Sequence, residues 1–498
     1  MLSQATSAAV IGVDGIAVRV EVDVSFGLPG LTIVGLAGSA VLEARDRVRS
    51  ALRNSGFELP ARRITVNLAP ADLPKQGTGF DLAIAVGILA ASGQMDDRAL
   101  TRTALIGELA LDGGLREVPG TLALTAAAAA AELPAAIVPS ASAAEAATVR
   151  GIDVYAALTL GDAVAHLTGT RTLPAVSPAA APRWAPPSDA PDLGMVAGQS
   201  AARRMLEVAV AGHHSLALCG PPGIGKTLLL RTAAGILPPL EDDEAAEVSR
   251  IYSVAGLLDR GAPLRYDRPV RMPHHTTSTQ ALVGGGPRVR PGEASLAHRG
   301  LLVLDEALHF RADALDALRQ PLESGAVTIA RVDGALRLPA RFTLLAAFNP
   351  CPCGWAMGGG ECRCEEGARR RYQSRLSGPL RDRLDAVISM TSGPGGAPTG
   401  DSTASVRRRV ASAWRRQLER QRMANGELEP AAFDARHGFG TDFDTLVAQR
   451  GRALRLSPRR LHRAARMART IADLEGVDRV EREHLDEALR FRPVEMAA

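Results

Sequence analysis

Hydrophobic and polar positions divide the chain into stretches of different rhythm. Residues 16–24 (IAVRVEVDV) alternate apolar and polar side chains, which predicts a strand with one buried face; 31–34, 64–68, 104–109 and 135–138 are shorter apolar runs that predict further strands. Helical spacing predicts helices over 39–55, ended by Gly56, and over 80–92, 122–131 and 142–149. Together these predict an α/β domain over 1–170. Residues 173–192 (LPAVSPAAAPRWAPPSDAPD) have little periodicity and much Pro, Ala and Ser, so a linker is expected over 171–192. Strand and helix alternation resumes near Met195 and predicts a second α/β domain over 193–392, interrupted by the Gly/Pro segment 391–401. From Thr403 the spacing is helical with almost no strand signal. This predicts a small helical domain over 402–498, its core filled by Trp and Phe.

Composition narrows the classes. At 498 residues the chain suits two to four domains. A formal charge of +4 excludes a polycation, so any nucleic-acid contact is local. Aromatic residues at 3% argue against base-stacking platforms. No run is apolar enough to cross a membrane, and the start MLSQATSAAV lacks a basic segment followed by an apolar one, which predicts a cytoplasmic protein without membrane partners. Five cysteines, four of them between Cys351 and Cys364, do not resemble a secreted disulfide framework. Of 58 Lys and Arg residues only Lys75 and Lys226 are lysine, so an arginine at any one position says little.

Chemistry enters at Gly220-Pro221-Pro222-Gly223-Ile224-Gly225-Lys226-Thr227, which follows an apolar run and precedes helical spacing. Glycines there let backbone N–H groups wrap a phosphate at a helix start, Lys226 reaches the β- and γ-phosphates, and Thr227 offers a hydroxyl to Mg²⁺. This predicts an ATP site. Downstream, the apolar strand 301–304 ends at Asp305-Glu306. Asp305 suits a Mg²⁺ held through water and Glu306 a base for the attacking water. A further apolar strand over 342–348 ends at Asn349, an amide placed to orient that water.

Several separated blocks then resemble one family: PHHTTSTQALVGGG, RPGEASLAHRGLLVLDE, NPCPCG, SRLSGPLRDRLD, and also DLPKQGTGFDLAIAVGIL and LSPRRLHRAARMARTIADLEG. They are similar to the magnesium-chelatase-like AAA+ ATPases of the YifB/ComM type, over nearly the whole chain. The resemblance implies a multidomain α/β protein: a Lon-protease-like N-terminal domain, a P-loop AAA+ core of the helix-2-insert clade, and a C-terminal helical lid. It implies a homo-oligomeric ring, commonly a hexamer, with ATP between subunits, and a link to DNA branch migration in uptake and recombination. By position it makes Arg383 the arginine finger, with Arg381 as runner-up, and Arg459 the sensor-2 residue, with Arg460 as runner-up. At the positions of the Lon catalytic serine and lysine this chain has Gly79 and Leu122, with Lys75 nearby, so peptidase activity is not expected.

Residues 327–331 and 335–341 flank Asp333-Gly334 and predict a hairpin carrying Arg331 and Arg337. The segment 274–290 adds Arg288 and Arg290 beside a glycine run. These four arginines are candidate DNA contacts, for single-stranded or branched forms; the plain alternative is a solvated surface. His274 and His275 lack further ligands nearby and suit hydrogen bonding better than metal. Cys351, Cys353, Cys362 and Cys364 form two Cys-x-Cys pairs that fit either a structural Zn²⁺ site or reduced, redox-sensitive thiols. Cys219 reads as a small buried residue. An ATP-driven DNA motor leads; a chelatase-type ATPase that remodels a protein partner is the alternative, although the chain has no DxSxS motif.

Overall fold

The computed structural model describes residues 1–178, 184, 186–259, 263–286, 289–331, 334–357, 361–391, 400–440 and 442–491. They form two compact units, the first comprising 1–183, 241–266 and 330–336 and the second the remainder.

The first unit is built on a seven-stranded mixed sheet. Its order is Gly30–Val34, Arg63–Ala69, Asp14–Ser25, Leu2–Ile11, Thr103–Leu105, Ala135–Pro139, Asp153–Ala157. The run expected over 104–109 divides into Thr103–Leu105 and Glu108–Leu109, because the N–H of Gly107 turns away to the carbonyl of Gly79 at 3.1 Å. The helix expected over 39–55 is broken at Glu43 into Ser39–Leu42 and Ala44–Asn54. Helix Asp81–Ala91 is buried along its whole length. Its one charge, Asp81, is held by Arg47 at 2.6 and 3.0 Å and by the N–H of Leu109. Helix Thr121–Ala130 lies close on the sheet: a Cβ on Gly15 would stand 2.2 Å from the Ala123 carbonyl oxygen, so only glycine fits there. Helix Asp242–Ala255 belongs to this unit, and its Ser253 carbonyl accepts the N–H of Gly120 at 2.9 Å.

The second unit holds a five-stranded parallel sheet in the order Val270–Arg271, Leu301–Leu304, Thr343–Phe348, Leu216–Cys219, Ala386–Ser389. Four of these strands are fully buried or nearly so, as expected of a parallel sheet covered on both faces. The C-terminal helices Thr403–Gln421, Phe443–Leu454, Pro458–Glu475 and Arg482–Arg490 share one apolar cluster with that sheet: Leu218, Val303 and Leu345 join Val406, Trp414, Ile471 and Leu485. Trp414, Phe439, Phe443 and Phe491 are buried in this shared core. Among the described residues no helix is long and apolar enough to cross a membrane.

Candidate nucleotide site

The sheet order positions the site. The strand ending at Phe348 lies between the strand ending at Cys219 and the strand ending at Leu304. Three consecutive strand ends therefore offer the phosphate loop, Asn349, and Asp305 with Glu306, side by side at the edge where parallel α/β sheets bind ligands.

The loop itself is shaped by glycine. A Cβ on Gly220 would stand 2.6 Å from the Met390 carbonyl oxygen, and Gly225 takes a left-handed φ of 92° before the helix Lys226–Ile236 starts. Lys226 is 8% exposed, and its Nζ donates to the carbonyls of Gly220 and Pro221 at 2.7 Å and to Asn349 Oδ1 at 3.1 Å. Burial lowers its pKa, against the pull of Cys219, Asp305 and Glu306. Thr227 Oγ1 donates to Asp305 Oδ2 at 2.7 Å. Glu306 adopts a left-handed φ of 51°, its N–H donating to Asp305 Oδ1 at 3.0 Å, and its carboxylate faces His275 Nδ1 at 3.7 Å. These residues edge a cleft of about 370 Å³. Its donors fit Mg-ATP: an enclosed ammonium and a glycine loop for phosphate, and a hydroxyl beside a carboxylate for a hard cation.

Two residues here escaped sequence reasoning, and a third, His275, was expected there to hydrogen-bond. His275, weighed for metal, instead faces Glu306. His309 and Tyr372 line the same cleft, their rings 5.9 Å apart. Burial pushes the pKa of the Tyr372 hydroxyl up to about 12. Each is brought in by a different segment: His275 from the chain before helix Thr279–Val283, His309 from the turn 307–309, Tyr372 from helix Glu366–Gln373.

Arg383 and Arg459 do not line this cleft. They edge a second one of about 600 Å³, with Arg341, Arg463, Arg466 and Glu323. Arg383 Nη2 contacts Glu323 Oε2 at 2.8 Å, and this hydrogen bond draws the Glu323 carboxyl below its ordinary range. Arg381 and Arg460 line neither cleft. Arg290 is exposed in the short pairing of Gly284–Gly285 with Arg290–Pro291. Arg331 and the exposed Arg337 lie on the paired strands Ala326–Arg331 and Gly334–Pro339. Arg288 and the turn residue Asp333 lie outside the described residues.

In the first unit, Leu122 is buried in its helix, and a Cβ on Gly79 would touch Val118 at 3.3 Å. Lys75 is fully enclosed, with its ammonium on the carbonyl of Pro70. The four clustered cysteines are free thiols whose sulfurs lie within 4.8 Å of one another, the one such metal-competent group among the described residues.

Comparison with known proteins agrees with this geometry. Residues 192–396 match the family described as magnesium chelatase, subunit ChlI; 20–142 match subunit ChlI of Mg-chelatase, and 400–492 its C-terminal part. The chain is 43% identical over 497 residues to YifB of Salmonella typhimurium, covering 98% of this chain and 96% of that one. It is 42% identical over 496 residues to the competence protein ComM of Haemophilus influenzae, covering 98% and 96%. A magnesium-chelatase 38 kDa subunit of Cereibacter sphaeroides is 27% identical over 146 residues, 26% of this chain and 43% of that protein. Domain matches over 20–142, 192–396 and 400–492, with near-complete coverage at this identity, make the chain a member of the YifB/ComM family of magnesium-chelatase-like AAA+ ATPases.

Proposed function

We propose that the chain hydrolyses ATP as a homo-oligomeric ring, most simply a hexamer, and uses the energy to move DNA strands, as in branch migration during recombination or uptake. The observation that carries the reading is the separation of Lys226, Asp305 and Glu306 from Arg383 and Arg459 into two clefts. A hydrolysis site with no arginine among its described lining residues is completed when a neighbouring copy supplies one.

In this reading Lys226 and the loop amides hold the phosphates, and Thr227 with Asp305 holds Mg²⁺, which neutralises phosphate charge when bound. Asn349 orients the water, and Glu306 accepts its proton while His275 steadies the carboxylate. Arg383 of one copy reaches the γ-phosphate bound by the next, where a planar, permanent charge follows the spreading negative charge; Arg459, on the lid helix Pro458–Glu475, acts from the same side. The first unit serves as a Lon-like scaffold without peptidase chemistry. Arg290, Arg331 and Arg337, with Arg288, supply phosphate contacts of little sequence preference. The cysteine cluster takes a structural Zn²⁺, and the protein works in the cytoplasm.

The test is ATP turnover with single-stranded, duplex and four-way branched DNA, with strand exchange of the branched form followed directly. Stimulation by branched DNA together with strand exchange is expected; their joint absence overturns the DNA reading. The family match to magnesium chelatase favours one alternative, remodelling of a protein partner. That reading predicts turnover that responds to a protein and ignores DNA.

A further inference from the structure

The segment from Asn349 to Glu365 is a problem of stability. It joins the central strand of the sheet to helix Glu366–Gln373, and among its described residues there is no helix or strand. Yet its first residue is Asn349, whose side-chain oxygen must meet Lys226, and its middle presses on the phosphate loop. Gly354, at a left-handed φ of 86°, sits so close that a Cβ there would lie 2.6 Å from Pro222 Cδ and 3.8 Å from Asn349 Cγ. Met357 Sδ lies 3.8 Å from Cys219 Sγ, at the last residue of the phosphate-loop strand. Such a segment needs a fastening other than an apolar core.

The sulfurs provide it. Cys351 Sγ is 3.3 Å from Cys353 Sγ and 3.7 Å from Cys362 Sγ, and the last two are 3.7 Å apart. Tetrahedral zinc with Zn–S near 2.3 Å requires sulfurs about 3.8 Å apart, whereas a disulfide would bring one pair to about 2 Å. An all-sulfur set of four selects zinc over hard cations. A backbone N–H also reaches the sulfurs: that of Cys353 donates to Cys364 Sγ at 3.4 Å. This is the outer-shell support that thiolate ligands use.

We propose that one zinc ion held by Cys351, Cys353, Cys362 and Cys364 fastens Asn349 and Gly354 against the phosphate loop, so that zinc retention and nucleotide binding are thermodynamically coupled. The coupling rests on the zinc and nucleotide sites proposed above and adds a regulation to them: loss of zinc loosens the ATP site, and bound ATP guards the zinc. Reciprocity requires the two effects to be the same factor.

The experiment uses the full chain purified without chelators. Elemental analysis is expected to give about one zinc per chain, the number one four-thiolate site holds. Equilibrium partitioning of zinc to a zinc-selective chelator, followed by absorbance, is then measured with and without Mg²⁺ and a non-hydrolysable ATP analogue. Retention is expected to improve about fivefold or more, and a fluorescent ATP analogue to bind more weakly to the stripped chain by the same factor. Circular dichroism follows whether the stripped chain keeps its fold. Gly354→Ala keeps all four thiols but breaks the contact with Pro222; it is expected to retain zinc and lose the coupling. Zinc present with partitioning indifferent to the nucleotide overturns the coupling and leaves the zinc site standing. No metal, or iron in its place, overturns the zinc site itself, and an intact chain that fails to bind the fluorescent nucleotide overturns the ATP site.

Discussion

The two clefts of the second unit are made of different materials. The cleft at Lys226 combines one enclosed ammonium at a helix start with two carboxylates, an amide and a glycine loop that follow the ends of buried strands. The cleft at Arg383 sets five arginines among four carboxylates, Glu323, Asp385, Glu427 and Glu429, with Glu323 as the direct ion-pair partner of Arg383. In the proposed reading the first receives a polyphosphate and a cation, and the second offers Arg383 to a neighbouring copy. In the proposed function each cleft is half of a site, and assembly of neighbouring copies would join the halves.

The largest effect is expected where the halves meet. Arg383→Ala should lower ATP turnover by about 10³-fold or more while nucleotide affinity changes little. Mixing that variant with Lys226→Ala chains should restore turnover, because some interfaces then pair an intact Lys226 with an intact Arg383. Turnover that stays flat across all mixing ratios breaks the complementarity. Within the first cleft, Glu306→Gln should lower turnover by about 10²- to 10⁴-fold and leave ATP bound, measured by single-turnover hydrolysis beside equilibrium binding.

A smaller effect distinguishes the clefts by pH. His214, next to the second cleft, is fully buried against Thr470 Oγ1 at 2.8 Å, and burial lowers its pKa to about 3. The unfolded chain therefore takes up a proton below about pH 6.5 that the folded chain refuses, so stability falls as pH drops from there toward 3. Denaturant unfolding should show about 2 kcal/mol lost between pH 7.5 and 5, and His214→Gln should remove that part of the slope. The smallest effect belongs to an arginine outside both clefts. Arg337→Ala should weaken DNA binding a few-fold and reduce the salt slope by about one, read from titrations at several salt concentrations. An unchanged slope would return Arg337 to the solvated surface.

What the sequence revealed follows from how local each feature is. The phosphate loop, the Asp305-Glu306 pair and Asn349 are each written in a few consecutive residues, and their order along the chain was enough to assemble them. The second cleft was not legible, since Glu323 and Arg383 meet only in the folded chain and arginine is too common here to stand out. Strand Leu2–Ile11 was missed although it is central in its sheet: its buried positions are Ser3, Ala5, Ser7, Ala8 and Ala9, whose small side chains give alternation little amplitude. Helix Asp242–Ala255 lies in the stretch expected to belong to the second domain, since an amphipathic face does not say which sheet it covers.

The enclosure of Lys75 and Lys226 has a consequence for chemistry done on the protein from outside. With lysine at two positions, and Lys75 fully enclosed and Lys226 8% exposed, the cationic side chains that meet solvent are guanidinium or imidazole groups. An acylating reagent selective for amines thus finds two side-chain targets, one inside the first unit and one inside the nucleotide cleft. Acylation at Lys226, read by mass spectrometry against Lys75 as an internal standard, becomes a single-residue gauge of how often that cleft is open.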